Sequence, residues 1–346
     1  MMSEGPNPGI PSSDAHLADW DITTDIVADA QESRTVADSR TKSDQTYRKI
    51  AQVSGLMTLV LLVFIGTFLL VRSSSALNYM GLDFFTKTLW QPQGNPATFG
   101  ILAVIYWTVI IAIIALIVSI PLALAISLFL TDFAPLKLRR PLTALVDLLA
   151  AIPSLIYGLW GLFVLQPILV PFATFLSNTL GWIPIFKVDS GSFTSSAFVA
   201  GFVVSLMVLP ICASVMREVF SQAPPGEREA ALALGSTRWD MIRTVVLPFG
   251  RGGIIGGSML GLGRALGETI AVALIISPSF IISPQILKTG TNSVAALIAL
   301  KFGESSGLSL SALMAAGLSL FILTLAVNFL ASIIVSRSRS GAGVDI

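Results

Sequence analysis

Charged side chains are scarce in this 346-residue chain: Asp, Glu, Lys and Arg together make up 12% of it, against roughly 25% in soluble domains. That scarcity, beside 54% hydrophobic residues, excludes a water-soluble globular protein and indicates an integral membrane protein. Histidine occurs once, as His16 in a polar stretch near the N-terminus, which excludes a His-rich metal centre. Cys212 is the single cysteine, so no disulfide can form within the chain; it lies in an apolar run, where a thiol is expected to act as buried packing. No G-x-x-x-x-G-K-[ST] sequence occurs, so there is no phosphate-cradling loop with its lysine. The glycine-rich stretch Arg251–Gly257 lacks that lysine and opens an apolar run instead. No apolar run carries a His cluster, paired catalytic carboxylates or a nucleophile–base set, which excludes a membrane-embedded enzyme. The net charge of +1 says nothing about partners, because the charges are unevenly placed.

What is present is a series of long apolar runs. A spanning helix needs about 20 apolar residues, and six runs qualify, near 51–71, 101–130, 142–170, 197–217, 252–277 and 311–335. Pro121 in the second and Pro153 in the third are the expected kinks. Basic residues set the orientation. Segments 1–50, 131–141, 217–251 and 336–346 hold fifteen Lys and Arg, and the alternate loops 72–100, 171–196 and 278–310 hold five. Both termini are therefore expected in the cytoplasm. Residues 1–33 carry seven acidic residues and no Lys or Arg, which reads as a disordered acidic leader rather than a signal peptide. The expected organisation is a leader over 1–49, a membrane domain over 50–336 and a short cytoplasmic tail over 337–346. The loops containing Trp90–Gly94 and Asn178–Ser196 are rich in Trp, Phe, Pro, Gly and Asn. They are expected to be ordered external loops, either simple connections or a docking face for an external partner.

One polar insert interrupts the membrane pattern. It runs from about 221 to 248 and contains EAALALGSTRWDMIRTVVLP over Glu229–Pro248. Proline near its start with Glu227 and Glu229 close behind favours a helix N-terminus. Gly235 can take the left-handed conformation that ends such a helix, and Thr237-x-x-Asp240 resembles a capping signal for a second one. On that second helix Trp239, Ile242, Val246 and nearby Leu247 form an apolar stripe, with Arg238, Asp240 and Arg243 facing elsewhere. A helix–Gly–helix of this kind is a cytoplasmic knob for a partner to grip, or else an ordinary interfacial loop.

The run after the insert is unusual in another way. Residues 250–267 hold eight glycines, including Gly253-x-x-x-Gly257-x-x-x-Gly261 and Gly263-x-x-x-Gly267, and small residues four apart let membrane helices approach closely. In that seam lie Arg264 and Glu268, one turn apart. Counted from Gly252, Arg264 is about 18 Å into the run at 1.5 Å per residue, near the middle of a core about 30 Å thick. An unpaired charge there costs about 2.5–3.5 kcal/mol even on a permissive scale. Either the two form a structural ion pair, or they line a polar path, where a guanidinium fork suits an oxyanion. Ser258 and Thr269 are neutral donors nearby, although such residues in spans more often bond their own backbone.

The insert resembles a known element. Glu229-Ala230-Ala231, three residues, Gly235, nine residues, then Val245-x-Leu247-Pro248 is similar to the cytoplasmic EAA loop of ABC importer permeases, with Val245 where the family more often has Ile. The resemblance implies that Glu229, Ala230, Ala231, Gly235, Leu247 and Pro248 couple to a separate ATP-binding subunit, which supplies hydrolysis and binds ATP and magnesium. This chain then needs no cofactor of its own. Gly261–Thr269 (GLGRALGET) and Asp147–Gly161 (DLLAAIPSLIYGLWG) resemble phosphate-specific ABC importer permeases of the PstC type. PstA-type chains share the Arg and Gly-Glu-Thr elements. The likeness runs from about 50 to 335 and leaves out the acidic leader.

The resemblance implies an all-α membrane protein with six transmembrane helices in the type I ABC importer (MetI-like) fold. It implies inorganic phosphate as cargo, with Arg264, Glu268 and Thr269 on the substrate path. The implied partners are a PstA-type permease, an ATP-binding subunit dimer, an external phosphate-binding protein and the lipid bilayer, with no nucleic acid. The rival readings are a permease for another oxyanion (phosphonate, sulfate or molybdate) and an ion-coupled secondary transporter.

Overall fold

The computed structural model describes residues 42–188 and 192–338. The leader as far as residue 41 and the tail from residue 339 lie outside the described residues. The chain divides into two units at Leu61 and Leu62. In the first, the described part is the N-terminal half of α1 (Lys42–Met80), which already includes Lys42–Lys49 from the stretch assigned to the leader. Its side chains, such as Val53, Leu56 and Val60, are exposed, as befits a helix facing lipid.

The second unit holds everything else. α1 ends at Gly81, whose φ of +59° is left-handed, a conformation only glycine takes without strain. A short α2 (Asp83–Thr86) leads into an antiparallel hairpin that pairs Trp90 with Phe99 and Gln91 with Thr98. Phe99 is fully buried, with Tyr79, Phe84 and Trp90 around it, and Trp90 stacks on Phe280. The aromatic loop expected from the sequence is therefore ordered. α3 (Leu102–Leu128) runs on through a π-helical turn, Phe129–Phe133, giving a span of 32 residues. Pro121 lies inside α3, which continues past it as one helix.

The third apolar run departs from the expected 142–170. α4 (Leu136–Ala151) is a separate amphipathic helix. The chain then turns extended at Ile152 (ψ 129°) and Pro153 (ψ 140°), and a new helical rod begins. α5 (Ser154–Trp160), a π-helical turn at Gly161–Leu165 and α6 (Gln166–Leu180) together make a span of 27 residues. Pro153 thus breaks the run instead of kinking it. The residue before proline disfavours the α region, and proline itself fits best in the first turn of the helix that follows.

α7 (Ala197–Ser221) is the centre of the unit. The Ser196 hydroxyl caps it by accepting from the Val199 N–H. Val199, Val203, Val208, Cys212 and Met216 on it are all 0% exposed, so it is buried on nearly every side, with α3 packed along it. The insert follows as α8 (Pro225–Ala233), α9 (Arg238–Met241), a π-helical turn at Ile242–Val246 and α10 (Leu247–Phe249). A 65° bend at Gly250 then turns the chain into α11 (Arg251–Leu266). α12 (Ile270–Ile275), α13 (Val294–Lys301) and α14 (Gly307–Ser338) complete the order. Five helices among the described residues are long and apolar enough to cross a membrane, and the count reaches six only if the bent pair around Gly250 is taken as one span.

The glycine seam forms where the sequence places it. A Cβ added at Gly261 would meet Cys212 Sγ at 2.6 Å, and one at Gly253 would meet Val219 at 2.6 Å, so α11 lies directly on α7. Cys212 is buried packing as expected, its thiol donating to the Gly257 carbonyl at 3.2 Å. Gly263 and Gly267 are different: an added Cβ would meet nothing closer than 3.4 Å and 3.7 Å, so the second glycine pair makes no tight seam within this chain.

At the opposite end from α8, the segment 276–293 closes over the helix ends. Tyr106 and Trp107 of α3 donate to the carbonyls of Ser283 and Ile281, each at 2.9 Å. Ile286 donates to Ile185 at 3.2 Å, tying this segment to the other expected external loop.

Candidate functional site

The insert is built from local rules. Pro225 sits in the first turn of α8 with Glu227 beside it, while Glu229 falls one turn later. Gly235 has φ +85° and ends the helix as the sequence requires. Thr237 and Asp240 form a full capping box: the Thr237 hydroxyl accepts from the Asp240 N–H, and the Asp240 carboxylate accepts from the Thr237 N–H. The Thr237 hydroxyl and N–H, followed by the charge of Arg243, hold the Asp240 carboxyl below the usual carboxylate range.

The expected apolar stripe of the second helix is corrected in one place. Met241, Ile242 and Val246 are buried and Leu247 is half-buried, but Trp239 is 56% exposed. Met241, just before the π-helical turn at Ile242–Val246, and Val246, its last residue, are both buried, while Trp239, three residues before Ile242, lies on the outer face. Trp239 therefore joins Leu232 and Leu234, which are 43% and 89% exposed, as apolar groups displayed on the outside of the insert. Glu229, Ala230, Gly235 and Pro248 are exposed with them, and Ala231 is half-buried. The apolar composition of a polar insert was the available signal for Leu232 and Leu234.

Sequence reading missed what anchors this knob. Arg228 of α8 donates to Asp132 Oδ1 at 2.7 Å, and to the Phe220 carbonyl at the end of α7. The Asp132 side chain is 5% exposed and also accepts from the Thr131 hydroxyl at 2.7 Å. Removing one partner of a buried, hydrogen-bonded pair leaves an uncompensated charge, so α8 is firmly tied to the ends of α3 and α7. The second connection is Gly250, where an added Cβ would meet Phe220 at 2.2 Å. No residue with a side chain fits that elbow.

Beyond the elbow, Arg264 lies in the last turn of α11, where the helix dipole favours a cation. The helix stops at Gly267 (φ −91°, ψ 0°), and α12 starts at Ile270. The sequence reading of Arg264 and Glu268 as one turn of a continuous helix is therefore corrected, because Glu268 stands in the break. No ion pair joins the two among the described residues. Arg264 is exposed at the surface of this chain, whereas Glu268 is 8% exposed. The Thr269 hydroxyl donates to the Gly267 carbonyl at 3.0 Å, and Ser258 donates to Ile254 at 2.7 Å, so both serve their own backbone. Gly158 of α5 lies against α12 just after the break, a Cβ there meeting the Ala271 backbone at 2.8 Å. Non-helical backbone at membrane depth is tolerated where protein or a water-filled cavity covers it. Here Glu268 is covered by protein, while Gly267 and Arg264 are exposed.

Comparison with known proteins bears on the same stretch. Residues 123–340 match the family described as binding-protein-dependent transport system inner membrane component. The chain belongs to this family. It is also 41% identical over 304 residues to the phosphate transport system permease protein PstC 2 of Mycobacterium bovis, covering 87% of this chain and 94% of that one. It is 41% identical to PstC of Xylella fastidiosa over 299 residues, 86% and 91% of the two chains. With PstC of Mycobacterium leprae the figures are 43% over 282 residues, 80% and 87%. Among solved structures, the inward-facing MetNI methionine ABC transporter aligns with a TM-score of 0.47 at 16% identity, over 69% of this chain and 94% of that one. The family match and the several apolar helices together make this chain a multi-pass transport protein of the inner membrane, and both the insert and the α11–α12 break fall inside the matched region.

Proposed function

We propose that this inner-membrane component is the permease subunit of an ATP-driven importer of inorganic phosphate. The reading rests on one observation above others: a guanidinium at the end of a broken membrane helix, open on one side, in a chain about 40% identical to several named phosphate permeases along most of its length. Arg264 offers paired donors to an oxyanion. Glu268, buried one step further on, limits how tightly that anion is held, and an ion that must leave cannot be bound too well. The open side of Arg264 is where a second permease of the PstA type completes the path, and an external phosphate-binding protein delivers the cargo.

Drive comes from outside the chain. An ATP-binding subunit dimer, holding ATP and magnesium, grips the knob at Glu229, Ala230, Ala231, Gly235, Leu247 and Pro248, with Leu234 and Trp239 as its apolar contacts. Motion of α8 passes through the Arg228–Asp132 tie and around the Gly250 elbow into α11, which carries Arg264. Both termini and the knob face the cytoplasm, as the excess of basic residues on that side favours.

Uptake of labelled phosphate by the reconstituted complex, challenged with unlabelled sulfate, molybdate or phosphonate, tests the cargo. Phosphate uptake that needs ATP and resists the competitors is the expected result. Sulfate uptake without phosphate uptake would end the phosphate reading, and uptake that persists without the ATP-binding subunit would end the ATP-driven one.

A further inference from the structure

A second cationic site lies at the knob end of the molecule, away from Arg264. Arg139 and Arg140 of α4, Arg217 of α7 and Arg228 of α8 border one pocket of about 460 Å³, and they share it with two carboxylates, Asp147 and Glu218. That volume is within the usual range of small-ligand sites.

The four guanidinium groups are unequally engaged. Arg228 is committed to Asp132 and the Phe220 carbonyl. Arg217 reaches Asp147 only at 3.4 Å, long beside the 2.7–2.9 Å typical of charged pairs. Arg139 gives one nitrogen to the Thr131 carbonyl, and Arg140 makes no ion pair or hydrogen bond among the described residues. Nε of Arg139, Nη1 of Arg217 and Nε of Arg228 are buried without a partner among the described residues. Buried charged donors left unpaired are costly, and all three belong to side chains that line this one pocket.

The carboxylates do not settle that demand. Glu218 accepts from Gln222 at 3.2 Å, and the Asp147 side chain is 51% exposed and free to swing into water. A tetrahedral oxyanion has enough peripheral oxygens to meet guanidinium forks from two helices at once.

We propose that this pocket binds a phosphoryl group, from free inorganic phosphate or from the headgroup of an anionic lipid. The bound anion displaces Asp147 from Arg217, bridges α4 to α7 through Arg139 and Arg217, and so stiffens the frame to which α8 is tied. The site is separate from Arg264, and its occupancy can be measured whatever the transported ion is.

The test uses the complete complex, purified without the external binding protein and carrying Arg264→Gln to silence the other arginine. In phosphatidylcholine nanodiscs, saturable binding of radiolabelled phosphate is compared before and after adding Arg139→Gln with Arg217→Gln, and separately Ala144→Phe. The phenylalanine fills the pocket while leaving every charge in place, which covers the case in which the double variant fails to assemble. A loss of at least about tenfold in affinity in Ala144→Phe, and in the double variant where it assembles, establishes free phosphate as the occupant. Unchanged phosphate binding, with loss of phosphatidylglycerol retained through purification, establishes the lipid headgroup. If neither phosphate binding nor lipid retention differs from the Arg264→Gln parent, the proposal is overturned.

Discussion

The two arms of the Gly250 elbow invite comparison. On one side, α8 to α10 satisfies itself: Gly235 ends one helix, Thr237 and Asp240 cap the next, and the Arg228 charge has its partner in Asp132. On the other side, α11 ends at an arginine with no ion-pair partner among the described residues, followed by a break holding a buried carboxylate that also has none. A region whose helix ends are capped and whose anchoring charge is paired is a finished part, ready to be gripped. A region whose charges are unanswered is half of something, and what completes it is a second chain, an ion, or both in turn.

The sharpest way to break the comparison is at the open arm. Arg264→Gln keeps the length of the side chain and removes the charge. One charge-assisted contact is worth about 1.5–3 kcal/mol, so uptake falls by at least about tenfold and, if every cargo ion must pass this point, to background. Normal membrane levels of the complex accompany that loss. Full uptake by Arg264→Gln would return the residue to a structural role and leave the open arm without a function.

A second change separates the two faces of α11. Gly261→Leu places a large side chain where even a Cβ would meet Cys212 Sγ at 2.6 Å. Overpacking of this sort costs about 1–3 kcal/mol, so the amount of folded permease drops while activity per surviving complex changes little. Gly263→Ala, on the looser side where the nearest atom is Asn328 Oδ1 at 3.4 Å, leaves both unaffected. Equal losses in the two variants, read by detergent-extracted yield and by uptake per complex, would show that the seam is not confined to one face.

These contrasts also show how far the sequence alone reached. Most of the apolar runs, the Gly235 stop, the capping box and the Gly253–Gly261 stripe were legible, because each is a local pattern with a local cause. Four things were not. Ile152–Pro153 reads as uninterrupted apolar sequence by hydropathy, although proline carried the break signal all along. The outward placement of Trp239, three residues before buried Ile242, has no compositional mark. The separation of Arg264 from Glu268 depends on α11 stopping at Gly267, and in a stretch with eight glycines no single one announces itself as the stop. The Arg228–Asp132 tie joins residues 96 apart in the chain, beyond the reach of any local pattern.

The closed arm gives smaller effects. At φ +85°, Gly235→Val forces a branched side chain into the left-handed region, at about 1–2 kcal/mol. An added Cβ meets nothing within 4 Å there, so the effect is conformational and not steric. Co-purification of the ATP-binding subunit weakens while phosphate binding at the open arm is kept. Unchanged co-purification and unchanged ATP coupling would argue against this knob as the grip.

The smallest effect belongs to Thr237→Ala, and pH gives it a signature. Hydrogen bonds from Thr237 hold the Asp240 carboxyl below its ordinary value in the folded protein, so the deprotonated form is the one favoured by folding. That stabilisation is complete above the ordinary carboxylate range, near pH 4, and is lost as pH falls through the lower folded value. At neutral pH the variant therefore shows its full, modest loss of thermal stability in the purified complex. Toward the acid end the wild type loses the same contribution and the two melting curves draw together. A difference that stays constant as the pH is lowered would mean that the threonine acts through its hydroxyl on the Asp240 N–H alone, with the carboxylate contributing nothing to the cap.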